Sequence, residues 1–531
     1  MLLLLILCAT AASAIPSGGD SPVSSHVVAE GISADHAGEP VLHPFVSFSI
    51  EFAWFPTYAG TWNLSTDCHF MIRAITMARQ LFFPESVFES AFGEPRRYPR
   101  DWASYDPDLK TAINGTVIPS ISTDYPRILS IGPSFFESYS TWPDTKFIHG
   151  FNLAHNGSKI NNDLLETIPV ACKALDGKLA YWELGNEPNN YKTAYQGASR
   201  PSNWTTQDYV DEWLSRTSLI KKKLAKSCPH LTNAKYIAPS TGLPTGILNP
   251  VDVFKHGLKS HHNIALNSEH NYMGGADEPG VTLQKTLMNH TAVINSVENH
   301  LKVIRTLKAQ NLDLPYIYGE MNSLYNQGRP GLSNSFGAAL WGVDFNLYSA
   351  SQSIRRSHMH QGNNYRYASW QPEETNKTSI GTKAPYYGNV MVAAMLKGAD
   401  DVRVATIPLP GDTEAAYAAF VDGQVARLAV INMKEYNYST SDPDARRPAT
   451  KYSFRLPNVD AQRKLSVQRL MANGSNSITG ITWDGWSYNY NLKKGAPVRL
   501  HNVTVGETVP VHRQGWVEIE VPDSSGAILS V

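Results

Sequence analysis

Residues 181–189 read Tyr-Trp-Glu-Leu-Gly-Asn-Glu-Pro-Asn, and residues 316–323 read Tyr-Ile-Tyr-Gly-Glu-Met-Asn-Ser. Each stretch is a short apolar run with strand propensity that ends in a carboxylate. In a parallel α/β barrel the C-terminal strand ends meet at one mouth, where ligands bind. We therefore predict that Glu187 and Glu320 reach one cleft from two strands. Glu183, deeper in the first of these strands, is interpreted as a structural polar group.

Other short β-rich runs lie on both sides of these two, and amphipathic helical patterns separate them. Strands that alternate with helices indicate a parallel sheet, and eight such units indicate a closed (β/α)8 barrel. The helical period is clear in Leu165, Ile168, Cys172 and Leu175, and again in Ile294, Val297, Leu301 and Ile304. The predicted barrel strands are residues 46–52, 127–131, 146–152, 180–185, 236–239, 264–272, 316–320 and 365–370.

The helical period stops near Lys397, and strand-like runs continue to the C-terminus. Val421-Asp422-Gly423 is typical of a hairpin turn. The sequence thus predicts an α/β fold, with a (β/α)8 TIM barrel at residues 45–397 followed by an all-β sandwich at residues 398–531. Residues 15–44 form an N-terminal segment that could add one strand to the β domain.

Charge and composition argue against several classes of protein. Lys and Arg total 46 against 47 Asp and Glu, a net charge of −1, so no nucleic-acid partner is predicted. No run after the N-terminus approaches the roughly 20 apolar residues of a membrane span, so no membrane partner is predicted either. The basic run Lys221-Lys222-Lys223 favours a solvated helix face over a site for sulfated glycans. Without zinc-type Cys/His spacing or a Gly-rich phosphate loop, neither metal nor organic cofactor is predicted.

The N-terminus carries the pattern of an export signal. Residues 1–14 read MLLLLILCATAASA, a short apolar run that ends in a small-residue cleavage pattern. We expect a signal peptide and a secreted, extracellular glycoprotein. The candidate glycosylation sites are the Asn-X-Ser/Thr sequons at Asn63, Asn114, Asn156, Asn203, Asn289, Asn376, Asn437, Asn473 and Asn502.

Three cysteines follow the predicted leader. Cys172 and Cys228 close two neighbouring helical patterns, so they could meet at the bottom of the barrel and form a disulfide. Cys68 would then be a buried thiol. Other pairings stay open, because connectivity does not follow from sequence.

The longer motifs, Trp-Glu-Leu-Gly-Asn-Glu-Pro-Asn at residues 182–189 and Tyr-Gly-Glu-Met-Asn-Ser at residues 318–323, resemble glycoside hydrolase family 79. That family contains β-glucuronidases and heparanases and belongs to a clan of retaining (β/α)8 glycosidases. The resemblance runs from about Phe45 to the C-terminus. It implies an exo-β-glucuronidase that removes terminal β-D-glucuronides from a glycan or glycoside by double displacement. The alternatives are an endo-acting, heparanase-like hydrolase, which would need a long basic cleft, and a carbohydrate-binding protein that has lost catalysis.

The resemblance also implies a role for individual residues. Glu187 matches the catalytic acid/base and Glu320 the nucleophile. Tyr272, on the sixth strand, matches a tyrosine that contacts the nucleophile. The other predicted substrate-binding residues are Asn186 beside the acid/base, Glu51 on the first strand, Tyr325, Gln327 and Gly328 after the nucleophile, and Tyr367 and Trp370 on the eighth strand.

Some of these roles have plainer alternatives. The loop at Tyr325 would bind the sugar carboxylate through a phenol and backbone amides, and Trp370 could stack on the sugar. Aromatic residues more often pack than bind, and a buried acid such as Glu51 is often only a satisfied polar group. The second strand of such enzymes usually ends in a Gly-Gly-Asn-like turn. Residues 130–134 match that turn only loosely, and residues 61–123 resist assignment.

Overall fold

The computed structural model describes residues 23–59, 86–90, 103–120, 124, 126–142, 144–155, 161–193, 198–398, 401–442 and 445–531. The predicted signal peptide, Cys68 and the sequons at Asn63 and Asn156 lie outside these residues. Across the described ranges, every helix is too short or too polar to cross a membrane.

Eight parallel strands pair side by side, and the eighth pairs with the first, so the sheet is closed. We call them barrel strands 1 to 8: Val46–Ile50, Ser86–Ser90, Thr145–Phe151, Leu179–Leu184, Tyr236–Thr241, Ile264–Tyr272, Tyr316–Asn322 and Ile354–Gln361. The α-helices of this domain are Phe55–Ala59, Thr167–Ala174, Thr206–Ser227, Pro250–Lys255, His290–Ala309, Phe336–Ser351 and Ala384–Leu396. The predicted alternation of strands and helices is confirmed.

Barrel strand 2 differs from the prediction. Residues 127–131 do contain a strand, Ile128–Ile131, but it pairs with Ala103–Tyr105 and Ile113–Thr116 in a separate sheet. Ser86–Ser90 takes its place between strands 1 and 3 of the barrel. A short β-rich run carries no local signal of which sheet it joins, because its pairing partners are distant in sequence. The match of residues 130–134 to the turn after the second strand is wrong for the same reason.

Barrel strand 8 also differs, because it is Ile354–Gln361 and not residues 365–370. Its sequence, Ile-Arg-Arg-Ser-His-Met-His-Gln, is mostly polar and does not read as a buried strand. Its side chains are nevertheless largely buried, and hydrogen bonds accommodate them. One example is His358, whose Nδ1 lies 2.8 Å from the Tyr318 carbonyl oxygen.

Residues 365–370 instead belong to the loop after barrel strand 8. Tyr367 therefore lies in this loop, and Trp370 begins the two-residue strand Trp370–Gln371, which pairs with Gly381–Thr382. The polar strand and the aromatic loop lie next to each other in sequence, which explains the error: β propensity favours the aromatic segment.

Two sheets form the β domain and share one apolar core. One sheet contains Val23–Ala29, Ala449–Arg455 and Trp516–Pro522. The other contains Val402–Ile407, Glu414–Val421, Gln424–Asn432, Lys464–Met471, Thr482–Trp483, Trp486–Ser487, Val498–Arg499, Thr508–Pro510 and Ser525–Ser530. A short helix, Tyr490–Lys493, interrupts the second sheet's later strands.

Local sequence explains several connections. The predicted hairpin turn is confirmed, with Asp422 and Gly423 at φ 51° and 73° between two paired strands, as a two-residue hairpin loop requires. Helix Thr206–Ser227 begins with a capping box formed by Thr205 and Asp208. Helices Phe336–Ser351 and Ala384–Leu396 are buried on all sides, as expected for helices with apolar residues around most of their circumference.

The predicted disulfide between Cys172 and Cys228 is confirmed, with 6.2 Å between the Cα atoms. It joins helix Thr167–Ala174 to the C-cap of helix Thr206–Ser227. Among the described sequons, Asn289 and Asn473 are half-buried, and the exposed ones are Asn114, Asn203, Asn376, Asn437 and Asn502.

Candidate active site

The two predicted catalytic glutamates meet inside the barrel mouth. Glu320 lies on barrel strand 7, Glu187 follows barrel strand 4, and both side chains are completely buried. Three atoms, one carboxylate oxygen from each glutamate and a ring nitrogen of His270, all lie within 4.8 Å of one another. Oxygens this close are compatible with the closely spaced carboxyl groups of a retaining glycosidase, which are about 5–5.5 Å apart.

Glu187 is held in one orientation by its backbone and by three neighbours. Its φ and ψ of 46° and 53° are left-handed, a conformation that costs about 1–3 kcal/mol for a residue other than glycine and often marks a functional site. Oε1 lies 3.0 Å from His270 Nδ1, and Oε2 accepts a hydrogen bond of 3.1 Å from Asn190 Nδ2. A Cβ atom at Gly242 would lie 2.5 Å from Oε1, so only glycine leaves room for this carboxylate.

Glu320 accepts a hydrogen bond of 2.8 Å from the Tyr272 hydroxyl, as predicted for that tyrosine. Burial raises the pKa of Glu320, the negative charge of Glu187 adds to the rise, and the Tyr272 hydrogen bond opposes it. His360 Nδ1 lies 3.7 Å from Oε2. Burial lowers the pKa of His360 to about 4, so this ring is neutral at neutral pH. Its positive charge therefore lowers the pKa of Glu320 only at acidic pH.

Glu51 belongs to the same cluster. It is completely buried, and its Oε2 accepts a hydrogen bond of 3.0 Å from the Tyr365 hydroxyl. The same oxygen lies 3.9 Å from His360 Nε2, and Ser49 Oγ lies 2.9 Å from the other ring nitrogen. His360 therefore lies between Glu51 and the predicted nucleophile. The sequence reasoning missed His360 because it placed barrel strand 8 too late in the chain, and it gave Tyr365, the first residue of that predicted strand, no role.

Tyr325 and Tyr367, the two tyrosines predicted to bind the sugar, lie next to Tyr272. Its ring centroid lies 6.4 Å from that of Tyr325 and 6.1 Å from that of Tyr367. Gly328 has φ 75°, and a Cβ there would lie 3.1 Å from Tyr367 Cδ1. The Gln327 carbonyl accepts a hydrogen bond of 2.7 Å from the Arg366 amide, which ties this loop to the loop after barrel strand 8. The structure thus brings the two predicted tyrosines and the glycine together.

The last two predicted binding residues differ in their surroundings. Asn186 is buried directly before Glu187. Trp370 is 4% exposed and packs edge-on against Phe48, at 4.9 Å between centroids. Its carbonyl also accepts a hydrogen bond from Tyr58. These contacts fit the packing alternative for Trp370, and a stacking role stays a prediction.

Arg329, the cation nearest to the Tyr325 loop in sequence, is engaged elsewhere. Its guanidinium donates hydrogen bonds to the carbonyls of Ala276, Val281 and Glu278. The Arg366 and Lys377 side chains both bind the Asp124 carboxylate, at 3.2 and 2.6 Å.

Comparison with known proteins agrees with this geometry. Residues 416–528 match the model of the glycosyl hydrolase family 79 C-terminal beta domain. A β-glucuronidase of Aspergillus niger is 58% identical, over 100% of this chain and 99% of its own length. A β-glucuronidase of Neurospora crassa is 44% identical, over 94% of each chain.

A solved structure has the same architecture. The crystal structure of a 4-O-α-L-rhamnosyl-β-D-glucuronidase from Fusarium oxysporum superposes with a TM-score of 0.75, over 95% of this chain and all of that one. The sequence identity is 21%, so this match supports the fold alone.

Proposed function

The chain belongs to glycoside hydrolase family 79, and we propose that it is a retaining exo-β-glucuronidase that hydrolyses terminal β-D-glucuronides on a (β/α)8 barrel. The observation that carries the proposal is the buried pair of Glu187 and Glu320, with carboxylate oxygens within 4.8 Å at the ends of barrel strands 4 and 7. Both full-length relatives are named β-glucuronidase, which supports glucuronic acid as the sugar that is released.

In the proposed mechanism Glu320 attacks the anomeric carbon while Glu187 gives its proton to the leaving oxygen. The glycosyl–Glu320 ester is then hydrolysed by water, which Glu187 activates by taking back a proton. His270 and Asn190 orient the acid/base, and Tyr272 holds the nucleophile through its hydroxyl. Glu51, which accepts a hydrogen bond from Tyr365, would bind a sugar hydroxyl.

Charge supports exo action over a heparanase-like endo cleavage. A long sulfated chain would need free cations along the cleft. Among the described cations after barrel strands 7 and 8, Arg329 is bound to three carbonyls, and Arg366 and Lys377 both pair with Asp124. Intact glutamates with their hydrogen-bonding partners argue against an inactive carbohydrate-binding protein.

We also propose that the protein is secreted and glycosylated. The leader pattern of residues 1–14, the Cys172–Cys228 disulfide and the exposed sequons support this proposal, since disulfides persist in oxidising compartments.

The experiment is hydrolysis of 4-nitrophenyl β-D-glucuronide followed by ¹H NMR. We expect turnover with β-glucuronic acid as the first product, which then mutarotates. The α anomer as first product would show inversion and contradict the assignment of Glu320. Faster cleavage of the matching β-glucoside would remove the glucuronide specificity and leave a retaining glycosidase.

A further inference from the structure

We propose that the loop after barrel strand 5, residues 242–249, forms an apolar subsite for the leaving group, so that the enzyme takes glucuronides of apolar alcohols or phenols. We call this segment the strand-5 loop. The inference rests on the proposed function, because the acid/base role of Glu187 defines where the leaving group lies.

The barrel order decides on which side the leaving group lies. The predicted sugar-binding residues Glu51, Tyr325 and Tyr367 come from or follow barrel strands 1, 7 and 8, which are neighbours in the sheet. Glu187, which must reach the glycosidic oxygen, follows barrel strand 4 on the other side. The leaving group therefore extends from the sugar towards barrel strands 4 and 5.

The strand-5 loop begins in contact with the acid/base. Gly242 is so close to Glu187 that a Cβ there would lie 2.5 Å from Oε1. Its amide donates a hydrogen bond of 2.9 Å to Asn189 Oδ1, in the loop that follows Glu187. Leu243 comes next in the chain, with its Cα about 3.8 Å from that of Gly242. A group bonded to the oxygen that Glu187 protonates would meet this loop.

The exposed side chains of the strand-5 loop are apolar or uncharged. Leu243 is 54% exposed and Ile247 is 51% exposed, although both are large apolar residues. Thr245, between them, is exposed as well. No residue from 242 to 251 is charged. Two large exposed apolar side chains four positions apart, in a loop that begins against Glu187, suit an apolar ligand better than a sugar or a polyanion.

Hydrogen bonds and buried residues fix the backbone of the strand-5 loop. Thr241 Oγ1 donates a hydrogen bond of 3.2 Å to the Leu243 carbonyl, and Asn249 Nδ2 donates one of 2.9 Å to the Gly246 carbonyl. Pro244 and Leu248 are buried and anchor the loop from beneath. A loop that is ordered before binding loses little entropy when a ligand arrives, so its apolar surface contributes fully to binding.

The test compares three β-glucuronides: those of 2-naphthol, of phenol and of the primary hydroxyl of galactose. The first two have leaving groups of similar acidity and differ in apolar area. The enzyme variants are Leu243→Ser and Ile247→Ser, with Val28→Ser as the control, since Val28 is 57% exposed on the β domain. The readout is kcat/KM for each substrate, with kcat and KM separated.

We expect Leu243→Ser to lower kcat/KM about five- to tenfold for the naphthyl glucuronide, mainly through KM, as loss of roughly half of a leucine's burial predicts. The loss should be smaller for the phenyl compound and absent for the glucuronide of galactose. Ile247→Ser should show the same order with smaller effects, and Val28→Ser should change nothing. Unchanged naphthyl cleavage in both loop variants, or equal losses on all three substrates, would overturn the subsite. Failure of the unmodified enzyme to cleave any of the three would instead overturn the proposed function.

Discussion

The ring of His270 and the carboxylate of Glu187 form a completely buried pair, with Nδ1 3.0 Å from Oε1. His270 lies on barrel strand 6, two residues before Tyr272, which donates to Glu320. One strand therefore positions both glutamates. In the proposed mechanism Glu187 gives up a proton in the first step and recovers it in the second, so its orientation must survive both.

Replacing His270 with Phe removes this hydrogen bond and keeps a ring of similar size in the site. A hydrogen bond to a charged group contributes about 1.5–3 kcal/mol, so kcat/KM for phenyl β-glucuronide should fall roughly ten- to hundredfold. The loss should be smaller for 4-nitrophenyl β-glucuronide, whose leaving group needs less protonation. His230→Phe is the matched control, because that ring is 54% exposed at the surface. Equal losses on both substrates would show that His270 does not act through the acid/base.

The two glutamates should respond differently to replacement by glutamine. Glu320→Gln should abolish turnover of every β-glucuronide, because no covalent intermediate forms. Glu187→Gln should lower kcat by orders of magnitude for substrates with poor leaving groups and far less for 2,4-dinitrophenyl β-glucuronide. In that variant, mass spectrometry should detect a glycosyl-enzyme, since breakdown also needs Glu187. A glycosyl-enzyme that accumulates in Glu320→Gln and not in Glu187→Gln would reverse the two roles.

Tyr272→Phe should move the acidic limb of the pH profile. The Tyr272 hydrogen bond stabilises the ionised form of Glu320 and so holds its pKa down against the effect of burial. Without the hydroxyl the pKa rises, and a nucleophile that must be ionised becomes active only at higher pH. The acidic limb of kcat/KM, which reports the free enzyme, should therefore shift upward. A limb that moves to lower pH, or stays in place while kcat falls, would contradict this assignment.

The Cys172–Cys228 disulfide should contribute to stability without affecting catalysis. It closes a loop with a sequence separation of 56 residues, for which the chain-entropy model gives about 4 kcal/mol. Because the bond joins two helices of the barrel exterior, the double variant Cys172→Ala/Cys228→Ala should lower Tm by several degrees. Its kcat/KM at 25 °C should match that of the unmodified enzyme. A fall in kcat/KM without a fall in Tm would mean that the bond shapes the site.

The buried glutamate pair could be predicted from sequence because each glutamate is embedded in its own strand-end motif. Glu187 and Glu320 each lie at or just after the C-terminal end of an apolar run, so local residues mark both. The residues around them carry no such mark. His360 lies near Glu320 and Glu51 because of the register in which barrel strand 8 pairs with strands 7 and 1. No local sequence pattern determines that register.

Gly242 is a second residue whose role could not be predicted from the local sequence. Its role depends on the absence of a side chain next to Glu187, 55 positions away in the chain. A glycine in a loop predicts only backbone freedom, and the φ of Gly242 lies outside the left-handed region that favours glycine. Only the packed barrel shows that this glycine is required by close approach to the acid/base.

Tyr325→Phe tests how the enzyme distinguishes a glucuronide from a glucoside, which differ by one carboxylate. Arg329 donates to three carbonyls, so the phenol of Tyr325 and nearby backbone amides are the proposed donors to that carboxylate. A hydrogen bond from a neutral donor to an ion is worth about 1.5–3 kcal/mol. We expect Tyr325→Phe to lower kcat/KM on 4-nitrophenyl β-glucuronide at least tenfold and to change any β-glucosidase activity much less. Tyr438→Phe, on the β domain, should change neither. Equal losses on both sugars would mean that Tyr325 only packs against Tyr272.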